Sequence, residues 1–346
     1  MITPLRAGDP TRLGDYELVG RLGTGGMGTV YLGRGRNGRR VAVKTIRTEY
    51  AWDSTLRGRF RSEVNRLRQV PSFCTAAVLD ADSDHDPPYL VVDYVSGPSL
   101  AAEVQQNGPL SSDALPGVII GVTGALVAIH QAGVVHRDLK PDNVLITLGS
   151  IKIIDFGVAR SLDHTSQHTA SGQMIGTVQY MAPESFDTTA GGPVTAAADI
   201  FAWGVLVTYA ATGRTPFTAN TPPATALRIA TQPPDLTGLT GVLRDLVAQA
   251  LTKRPEDRPT ARQLLETLLG IAPVPVPRPH RTPLAPSSPR STPPAAMARP
   301  TPSLPAPVPP SGEKRSHTVA FIILMVLTGL LGVILTSTLF YLVDNT

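Results

Sequence analysis

The chain has little cysteine and a small net charge, and each of these features excludes a class of protein. Cys74 is the only cysteine among 346 residues, so no disulfide can form within the chain and small disulfide-stapled folds are excluded. The formal charge is only +4, and six basic against two acidic side chains lie in residues 271–346. Residues 1–270 therefore carry no net charge, which argues against a nucleic-acid partner.

Proline divides the chain. Fifteen of the 33 prolines lie between Pro273 and Pro310, among alanine, serine, threonine and arginine. That composition has too little apolar content to bury a core. We therefore predict that residues 271–317 form a disordered, extended linker.

An uncharged stretch follows the linker. The 25 residues from Val319 to Val343 contain no charged side chain. A helix of that length measures about 37 Å, against a hydrocarbon core of about 30 Å. The sequence therefore predicts one C-terminal transmembrane helix at 318–343.

The flanking charges predict how this span is oriented. Lys314 and Arg315 precede it and Asp344 follows it, so the positive-inside rule places the body in the cytoplasm and residues 344–346 outside. The expected location is the cell membrane, with a single pass. Small side chains recur every four residues along the span: Thr328, Gly332 and Thr336. This spacing makes pairing of two spans, and hence a homodimer, a hypothesis.

The predicted secondary structure of residues 1–270 changes from strands to helices along the chain. Up to about residue 95 the apolar runs are short and β-branched, as in strands, with one helical stretch at 54–69. Helical periods dominate later, at 111–132, 199–212, 242–251 and 260–269. Strands first and helices later predict an α+β architecture in two lobes.

A glycine-rich string, Gly23 to Gly28, fits the pattern G-x-G-x-x-G, which Rossmann dinucleotide sites share. Here a strand-like run, Thr29 to Leu32, follows it, so we predict that the string caps a hairpin. Two other interpretations stay open for the string alone. One is a hairpin without a ligand, and the other is a dinucleotide-dependent oxidoreductase, which would need an acidic residue that is missing at the right distance.

Two further strings carry charge in a specific order. Val41-Ala42-Val43-Lys44 ends a buried-type strand on a lysine, which needs an anionic partner because desolvating a lone ammonium is unfavourable. Glu63, 19 residues later on the predicted helix, is the expected partner. The string from His136 to Asn143 reads His-Arg-Asp-Leu-Lys-Pro-Asp-Asn, and Asp155-Phe156-Gly157 begins twelve residues after it.

In this order the strings resemble the Hanks-type serine/threonine protein kinases, and specifically their membrane-anchored bacterial members. The resemblance covers about residues 14–270 and includes Ala182-Pro183-Glu184, Asp199 and Arg258. It implies a bilobal protein-kinase-like fold, with a small β-rich N-lobe and a large α-helical C-lobe. The boundaries it implies are an N-terminal extension at 1–13, an N-lobe at about 14–95 and a C-lobe at about 96–270.

The resemblance also implies roles at the matching positions. ATP is expected against the glycine-rich loop and the hinge: Leu22, Gly23, Thr24, Gly25, Gly26, Met27, Gly28, Val30, Ala42, Lys44, Asp93 and Val95. Lys44, held by Glu63, is expected on the α- and β-phosphates. Asn143 and Asp155 are expected to bind Mg²⁺, with Mn²⁺ as an alternative ion.

Asp138 is the implied catalytic base, and Lys140 is implied to neutralise the γ-phosphate. A lysine at that place, together with Thr177 as a substrate-side contact, is typical of kinases that act on serine or threonine. Three charged residues are implied to be structural: Glu184, Asp199 and Arg258. The implied partners are protein substrates with serine or threonine hydroxyls.

Regulation is expected in the segment after Asp155. Thr169 and Ser171 match the positions that bacterial relatives phosphorylate, and Arg137 is expected to help gather the phosphate. The arginines on the Glu63 helix are interpreted by default as a solvated basic face. The alternative function is a catalytically weak pseudokinase that acts as a nucleotide-binding membrane scaffold.

Overall fold

The computed structural model describes residues 2–25, 28–46, 54–156, 178–186 and 194–271. The chain divides into two compact units, Met1–His280 and Arg281–Thr346. All the described residues belong to the first unit. The predicted linker beyond residue 271, the span at 318–343 and the end at 344–346 lie outside the described residues.

The small lobe is built on one antiparallel sheet of six strands in the order β1-β2-β3-β4-β6-β5. The strands are β1 (Arg12–Leu13), β2 (Tyr16–Gly25), β3 (Gly28–Arg34), β4 (Arg40–Thr45), β5 (Val78–Asp82) and β6 (Tyr89–Asp93). In β4, Val41 and Val43 are buried on one face while Ala42 and Lys44 face the other. Helix α1 (Ser54–Leu67) interrupts the strands, as the sequence predicts.

The large lobe is helical around one deeply buried helix. Its helices are α2 (Leu100–Asn107), α3 (Ala114–Gln131), α4 (Ala196–Thr212), α5 (Pro222–Thr231), α6 (Gly241–Ala250) and α7 (Ala261–Leu268), with a hairpin of β7 (Val144–Thr147) and β8 (Ser150–Ile153). Helix α4 is apolar on nearly every side, and Phe201, Trp203 and Val205 have no exposed surface. Trp203 satisfies its indole N–H by donating to Thr123 Oγ1 on α3 at 2.9 Å.

Helix α3 is the one helix in the described part of the chain whose length and hydropathy would permit a membrane crossing. Its buried residues include Val122, Leu126 and Ile129, which belong to the main hydrophobic core. Such burial is what a core helix of a folded lobe requires. The predicted α+β architecture in two lobes is therefore confirmed within the described ranges.

Part of the predicted N-terminal extension at 1–13 pairs with the small-lobe sheet. Arg12 and Leu13 form β1 and pair with β2. Thr3 also bridges to Arg21 of β2 through two backbone hydrogen bonds of 2.9 and 2.7 Å. This segment thus pairs with the sheet at Thr3 and at Arg12–Leu13, because the edge of β2 offers unpaired backbone groups to it.

Candidate active site

The glycine-rich string turns at the tip of the β2–β3 hairpin, as predicted. Gly25 pairs with Gly28 in antiparallel register. A side chain is excluded at Gly28, because a Cβ there would lie 1.8 Å from the backbone oxygen of Thr45. Since the string joins two strands and opens no helix, the dinucleotide-binding interpretation is wrong. The preceding residues expected to contact ATP lie at the end of β2: Leu22, Gly23 and Thr24.

The strand register brings two expected adenine contacts beside the lysine. Val30 of β3 is the cross-strand partner of Lys44, and Leu32 is the partner of Ala42. Ala42 lies two residues before Lys44 and therefore faces the same side of β4. The small apolar side chains and the lysine thus share one face of the sheet.

Asp93 ends β6 and opens the hinge to the large lobe. Arg39 binds its carboxylate through two hydrogen bonds, from Nε at 3.1 Å and from Nη2 at 2.7 Å. The side chain of Asp93, where a contact with ATP is expected, is therefore bound by Arg39 in this structure. Val95 follows two residues later in the hinge.

The charges expected to hold the phosphates are paired differently from the prediction. Lys44 Nζ donates to Asp155 Oδ1, while Arg137 Nη1 donates to Glu63 Oε1 at 3.4 Å. No ion pair joins Lys44 to Glu63 within the described ranges, so the expected support of Lys44 by Glu63 is not the one seen here. Burial disfavours the charged form of Asp155, but Lys44 outweighs it and the pKa of this carboxyl lies below its ordinary value.

One buried carboxylate holds the loop from His136 to Asn143. Asp199, near the start of α4, is 1% exposed and accepts hydrogen bonds from the backbone N–H groups of His136 and Arg137, both at 2.8 Å. His130 Nε2 on α3 contacts the same carboxylate at 2.9 Å. Arg137 has a φ of +65°, which is uncommon outside glycine, and the bond to its amide holds this conformation. These contacts agree with the structural role predicted for Asp199.

His136 joins the loop to the Asp155 segment. Its Nε2 lies 3.0 Å from the backbone oxygen of Ile154, and the backbone N–H of Asp138 donates to Nδ1 at 3.3 Å. The neutral tautomer with its proton on Nε2 satisfies both bonds. Burial lowers the pKa of His136, which favours that neutral form. Its ring packs on Phe156, with 4.8 Å between centroids.

Asp138, Lys140 and Asn143 form one hydrogen-bonded group. Lys140 Nζ donates to Asp138 Oδ2 at 2.9 Å, and Asn143 Nδ2 donates to the same oxygen at 3.2 Å. Asn143 Nδ2 also donates to the backbone oxygen of Asp138 at 2.8 Å. The side chain of Asp138 is only 12% exposed, so protein donors orient it. A carboxylate oriented in this way, with an ammonium beside it, is suited to accept a hydroxyl proton near a phosphate.

The expected metal ligands converge at the open end of the β7–β8 hairpin. Asn143 directly precedes β7 and Asp155 follows β8 by two residues, and the backbone N–H of Ile154 donates to the backbone oxygen of Asn143 at 2.9 Å. Because Nδ2 of Asn143 donates to Asp138, Oδ1 is the side-chain atom of Asn143 that would be available to a metal ion. One amide and one carboxylate oxygen suit Mg²⁺, which keeps several waters and binds substrate phosphates. Within the described ranges, no group of three or more His, Cys, Asp or Glu side chains has an arrangement that could hold a metal ion by itself.

The predicted structural pair of the large lobe is present. Arg258 donates from Nη1 and Nη2 to the two carboxylate oxygens of Glu184, both at 2.7 Å. Its side chain has no exposed surface and also donates to the backbone oxygens of Ala197, Thr252 and Lys253. A buried guanidinium with this many acceptors is fully satisfied.

Two arginines of α1 contact the β5–β6 loop. Arg61 donates to both carboxylate oxygens of Asp84, at 3.1 and 3.2 Å, and Arg57 donates to the backbone oxygen of Asp84 at 3.0 Å. This part of the predicted basic face therefore has acceptors within the small lobe.

Five predicted site residues lie outside the described residues: Gly26, Met27, Thr169, Ser171 and Thr177. Sequence reasoning also missed two groups that hold the site. One is His130 on Asp199, and the other is a buried carboxylate, Asp9, bound by Arg21 and Tyr31 at the root of the glycine-rich loop. Neither group belongs to a local motif, and the pairs are 69, 12 and 22 residues apart in the sequence.

Comparison with known proteins supports the resemblance to protein kinases. The model of the protein kinase domain family matches residues 16–269. A probable serine/threonine-protein kinase PkwA from Thermomonospora curvata is 46% identical over 268 residues, covering 78% of this chain and 36% of the relative. The serine/threonine-protein kinase AfsK of Streptomyces coelicolor is 43% identical over 274 residues, covering 78% and 34%. The chain thus spans about a third of the length of these relatives.

Solved kinase structures share the fold. Rad53 residues 1–466 in complex with AMP-PNP gives a TM-score of 0.61 at 25% identity, covering 75% of this chain and 66% of that one. The PknI kinase domain of Mycobacterium tuberculosis gives 0.58 at 24% identity, covering 78% and 100%. The second likeness shows the fold alone. Family model, relatives and site geometry agree, and the chain belongs to the protein kinase family, among relatives of the Hanks-type bacterial serine/threonine kinases.

Proposed function

We propose that the chain transfers the γ-phosphate of ATP to serine or threonine hydroxyls of proteins, with Mg²⁺ as its cofactor. The observation that supports this proposal is the hydrogen-bonded group of Asp138, Lys140 and Asn143, together with the backbone hydrogen bond from Ile154, the neighbour of Asp155, to Asn143. Phosphoryl transfer needs little covalent chemistry from the protein, so a base, a cation and oxygen ligands in fixed positions are the main requirement.

Each side chain has one task in this proposal. ATP, bound with Mg²⁺ at Asn143 and Asp155, supplies the phosphoryl group. Asp138 orients the substrate hydroxyl and accepts its proton, and Lys140 neutralises charge on the oxygens of the transferred group. Lys44 binds the phosphates from the small lobe, under the backbone of the glycine-rich loop.

Labelled phosphate measures this activity directly. The full chain is incubated with γ-labelled ATP, Mg²⁺ and casein, and the product is hydrolysed to identify the phosphoamino acid. We expect phosphoserine or phosphothreonine, and a fall in kcat of about a thousandfold or more for Asp138→Asn, because the variant loses the base and its charge. Asp113→Asn, an exposed aspartate before α3, serves as the control and should keep its activity.

The same assay separates the kinase from a pseudokinase. Tight ATP binding without any transfer by the wild-type chain would favour the scaffold function. Transfer that survives both Asp138→Asn and Lys44→Ala would mean that the catalytic assignments are wrong.

We also propose autophosphorylation at Thr169 and Ser171. The support is Arg137, whose guanidinium lies on the catalytic loop, where charge-assisted hydrogen bonds to a phosphate could form. Phosphopeptide mapping of the active chain should find phosphate between residues 161 and 177, and none in Asp138→Asn. Equal phosphate in the inactive variant would show that another kinase modifies the segment.

Membrane anchoring through residues 318–343 is proposed from the uncharged 25-residue run alone. The wild-type chain should remain in the membrane pellet after alkaline carbonate extraction. Replacing Leu330 and Leu331 by arginine should release it, since each central charge disfavours insertion by about 2.5 to 3.5 kcal/mol. The matched double isoleucine variant should stay in the pellet. Cross-linking of the membrane-bound chain then tests whether it is a homodimer.

A further inference from the structure

The segment before the family match is folded onto the root of the glycine-rich loop. The family model begins at residue 16, whereas residues 2–13 add a backbone edge to β2. Thr3 and Arg21 exchange two backbone hydrogen bonds, and the N–H of Leu18 donates to the oxygen of Thr11 at 2.9 Å. A Cβ on Gly20 would lie 2.9 Å from the side chain of Ile2, so the segment packs closely at this point.

Asp9 is the centre of this contact. Its side chain is 5% exposed and accepts Nε and Nη2 of Arg21, each at 2.6 Å, in a bidentate pair. Tyr31 of β3 donates its hydroxyl at 3.0 Å and the backbone N–H of Arg6 donates at 2.7 Å. Hydrogen bonds from Arg21 hold the pKa of Asp9 well below its ordinary value, so the carboxylate stays charged at neutral pH.

Arg21 extends this contact into the loop. Its third nitrogen, Nη1, donates to Thr24 Oγ1 at 3.2 Å, and Thr24 is the second residue of the glycine-rich string. The β2–β3 register also shifts between Arg21 and Gly23, so β2 is irregular where the loop begins. One guanidinium therefore joins the buried carboxylate to the loop across an irregular part of the strand.

The β2 side of the loop has open space beside it. A Cβ built on Gly23 or Gly25 meets no atom of the described structure within 4 Å, whereas Gly28 on the β3 side lies against the backbone of Thr45. Glycine also leaves the backbone conformationally free. On the β2 side, the root of the hairpin therefore contributes to the position of the loop, and there Asp9 contacts both strands through Arg21 and Tyr31.

We propose that Asp9 and Arg21 are positioning residues. They hold the glycine-rich loop in the position in which its backbone can bind the phosphates of ATP. This inference rests on the proposed function, because it assumes that ATP lies under the loop. The segment at residues 2–13 then contributes to the function of the kinase domain, because it increases the affinity for the nucleotide.

Nucleotide binding and turnover are measured separately on the full chain in detergent micelles. Calorimetry with AMP-PNP and Mg²⁺ gives Kd, and labelled ATP gives KM and kcat. For Asp9→Asn we expect Kd for AMP-PNP and KM for ATP to rise about five- to tenfold, as for loss of one charge-assisted hydrogen bond. The value of kcat at saturating ATP should change less than about twofold, because the catalytic loop is untouched.

Asp15→Asn is the matched control. Asp15 also pairs with an arginine of the same lobe, Arg36 at 2.5 Å, but that pair is exposed, with side-chain exposures of 53% and 77%. Its loss should leave Kd, KM and kcat unchanged. An equal rise in Kd for both variants would overturn the proposal, because a general loss of small-lobe charge would then explain the effect.

Arg21→Lys separates positioning from folding. A lysine can keep the charge pair with Asp9 but cannot also reach Thr24, so Kd should rise while the melting temperature stays close to that of the wild type. If Asp9→Asn does not fold, the Kd of Arg21→Lys alone tests the proposal. A Kd within twofold of the wild type in folded Asp9→Asn or Arg21→Lys overturns the inference.

The two proposals fail in different ways. A wild-type chain that binds AMP-PNP but transfers no phosphate refutes the kinase activity, while a raised Kd in Asp9→Asn still supports the positioning role. Normal transfer with an unchanged Kd in the variants refutes only the positioning role. A wild-type chain that binds no nucleotide refutes both.

Discussion

The charged groups of the two lobes are held in different ways. In the large lobe, Asp199 is 1% exposed and Arg258 has no exposed side-chain surface, and each makes several hydrogen bonds to backbone groups. On the nucleotide side, Lys44 is 20% exposed and its partner Asp155 37%, and the pair is joined by one hydrogen bond. A charge held by several buried backbone groups has one arrangement, whereas a partly exposed pair joined by a single hydrogen bond can exchange partners at a small free-energy cost.

This difference explains why one part of the site matches the kinase expectation and another does not. Asp138, Lys140 and Asn143 lie on the loop that Asp199 holds, and hydrogen bonds join them into the group expected there. Lys44 belongs to the partly exposed pair, and the structure shows it with Asp155, while Glu63 contacts Arg137.

Removing a buried partner in the large lobe should have the largest effect on stability. Glu184→Ala leaves the guanidinium of Arg258 buried without its carboxylate, and we expect the free energy of unfolding to fall by about 4 kcal/mol. Urea unfolding followed by circular dichroism measures it. Glu256→Ala removes a comparable contact to Arg254, at 2.5 Å, whose side chains are 58% and 62% exposed, and should change stability by less than about 1 kcal/mol. Similar losses in both variants would contradict the comparison.

The Asp9–Arg21 pair of the small lobe is buried, like the charges of the large lobe, and its contribution to stability should depend on pH in the acidic range. Its folded-state pKa lies below the unfolded value near 3.8, so its stabilisation is fully present above that pH and is lost as the pH falls below it. Asp9→Asn should be less stable than the wild type by about 2 kcal/mol at pH 6, because the amide keeps only part of the bonding.

Urea midpoints measured from pH 6 down to pH 3 test the sign of this effect. The difference between wild type and Asp9→Asn should shrink as the pH falls below 3.8. Other carboxylates with lowered pKa, such as Asp155 and Asp235, are common to both proteins and cancel in the difference. A difference that stays constant with pH would mean that the charge of Asp9 contributes nothing.

The sequence predicted those parts of the site that depend on local order. The helix expected at 54–69 is α1 at Ser54–Leu67, and the glycine string caps a hairpin because a β-branched run follows it. The loop from His136 to Asn143 and Asp155 lie on either side of one hairpin, so their spacing alone brings Asn143 and Asp155 together. Helix α5 was not predicted, because its apolar residues are few and two prolines open it.

The resemblance implied one contact between distant charges, Glu184 with Arg258, but two others were not predicted. The bond between Asp9 and Arg21 depends on how residues 2–13 fold back along β2, and composition does not encode that path. The pairing of Lys44 with Asp155 rather than Glu63 depends on which carboxylate lies nearer to one flexible ammonium, and both are compatible with the same strings. The positive φ of Asp155, +59°, is likewise a property of the packed hairpin end.

Among these variants, Lys44→Met should change stability least, in contrast to Glu184→Ala, and it should lower activity strongly. Because both members of the Lys44–Asp155 pair are partly exposed, its loss should lower the free energy of unfolding by less than about 1 kcal/mol. The value of kcat/KM should nevertheless fall about a hundredfold or more, since the proposed function assigns the phosphates to Lys44 on the small-lobe side. Lys152→Met, which removes a lysine bonded only to backbone oxygens of Ser72 and Thr75, should change stability as little and leave kcat/KM unchanged. Should Lys44→Met instead unfold the small lobe, the pair would belong with the buried charges of the large lobe, and partner exchange at the nucleotide side would be refuted.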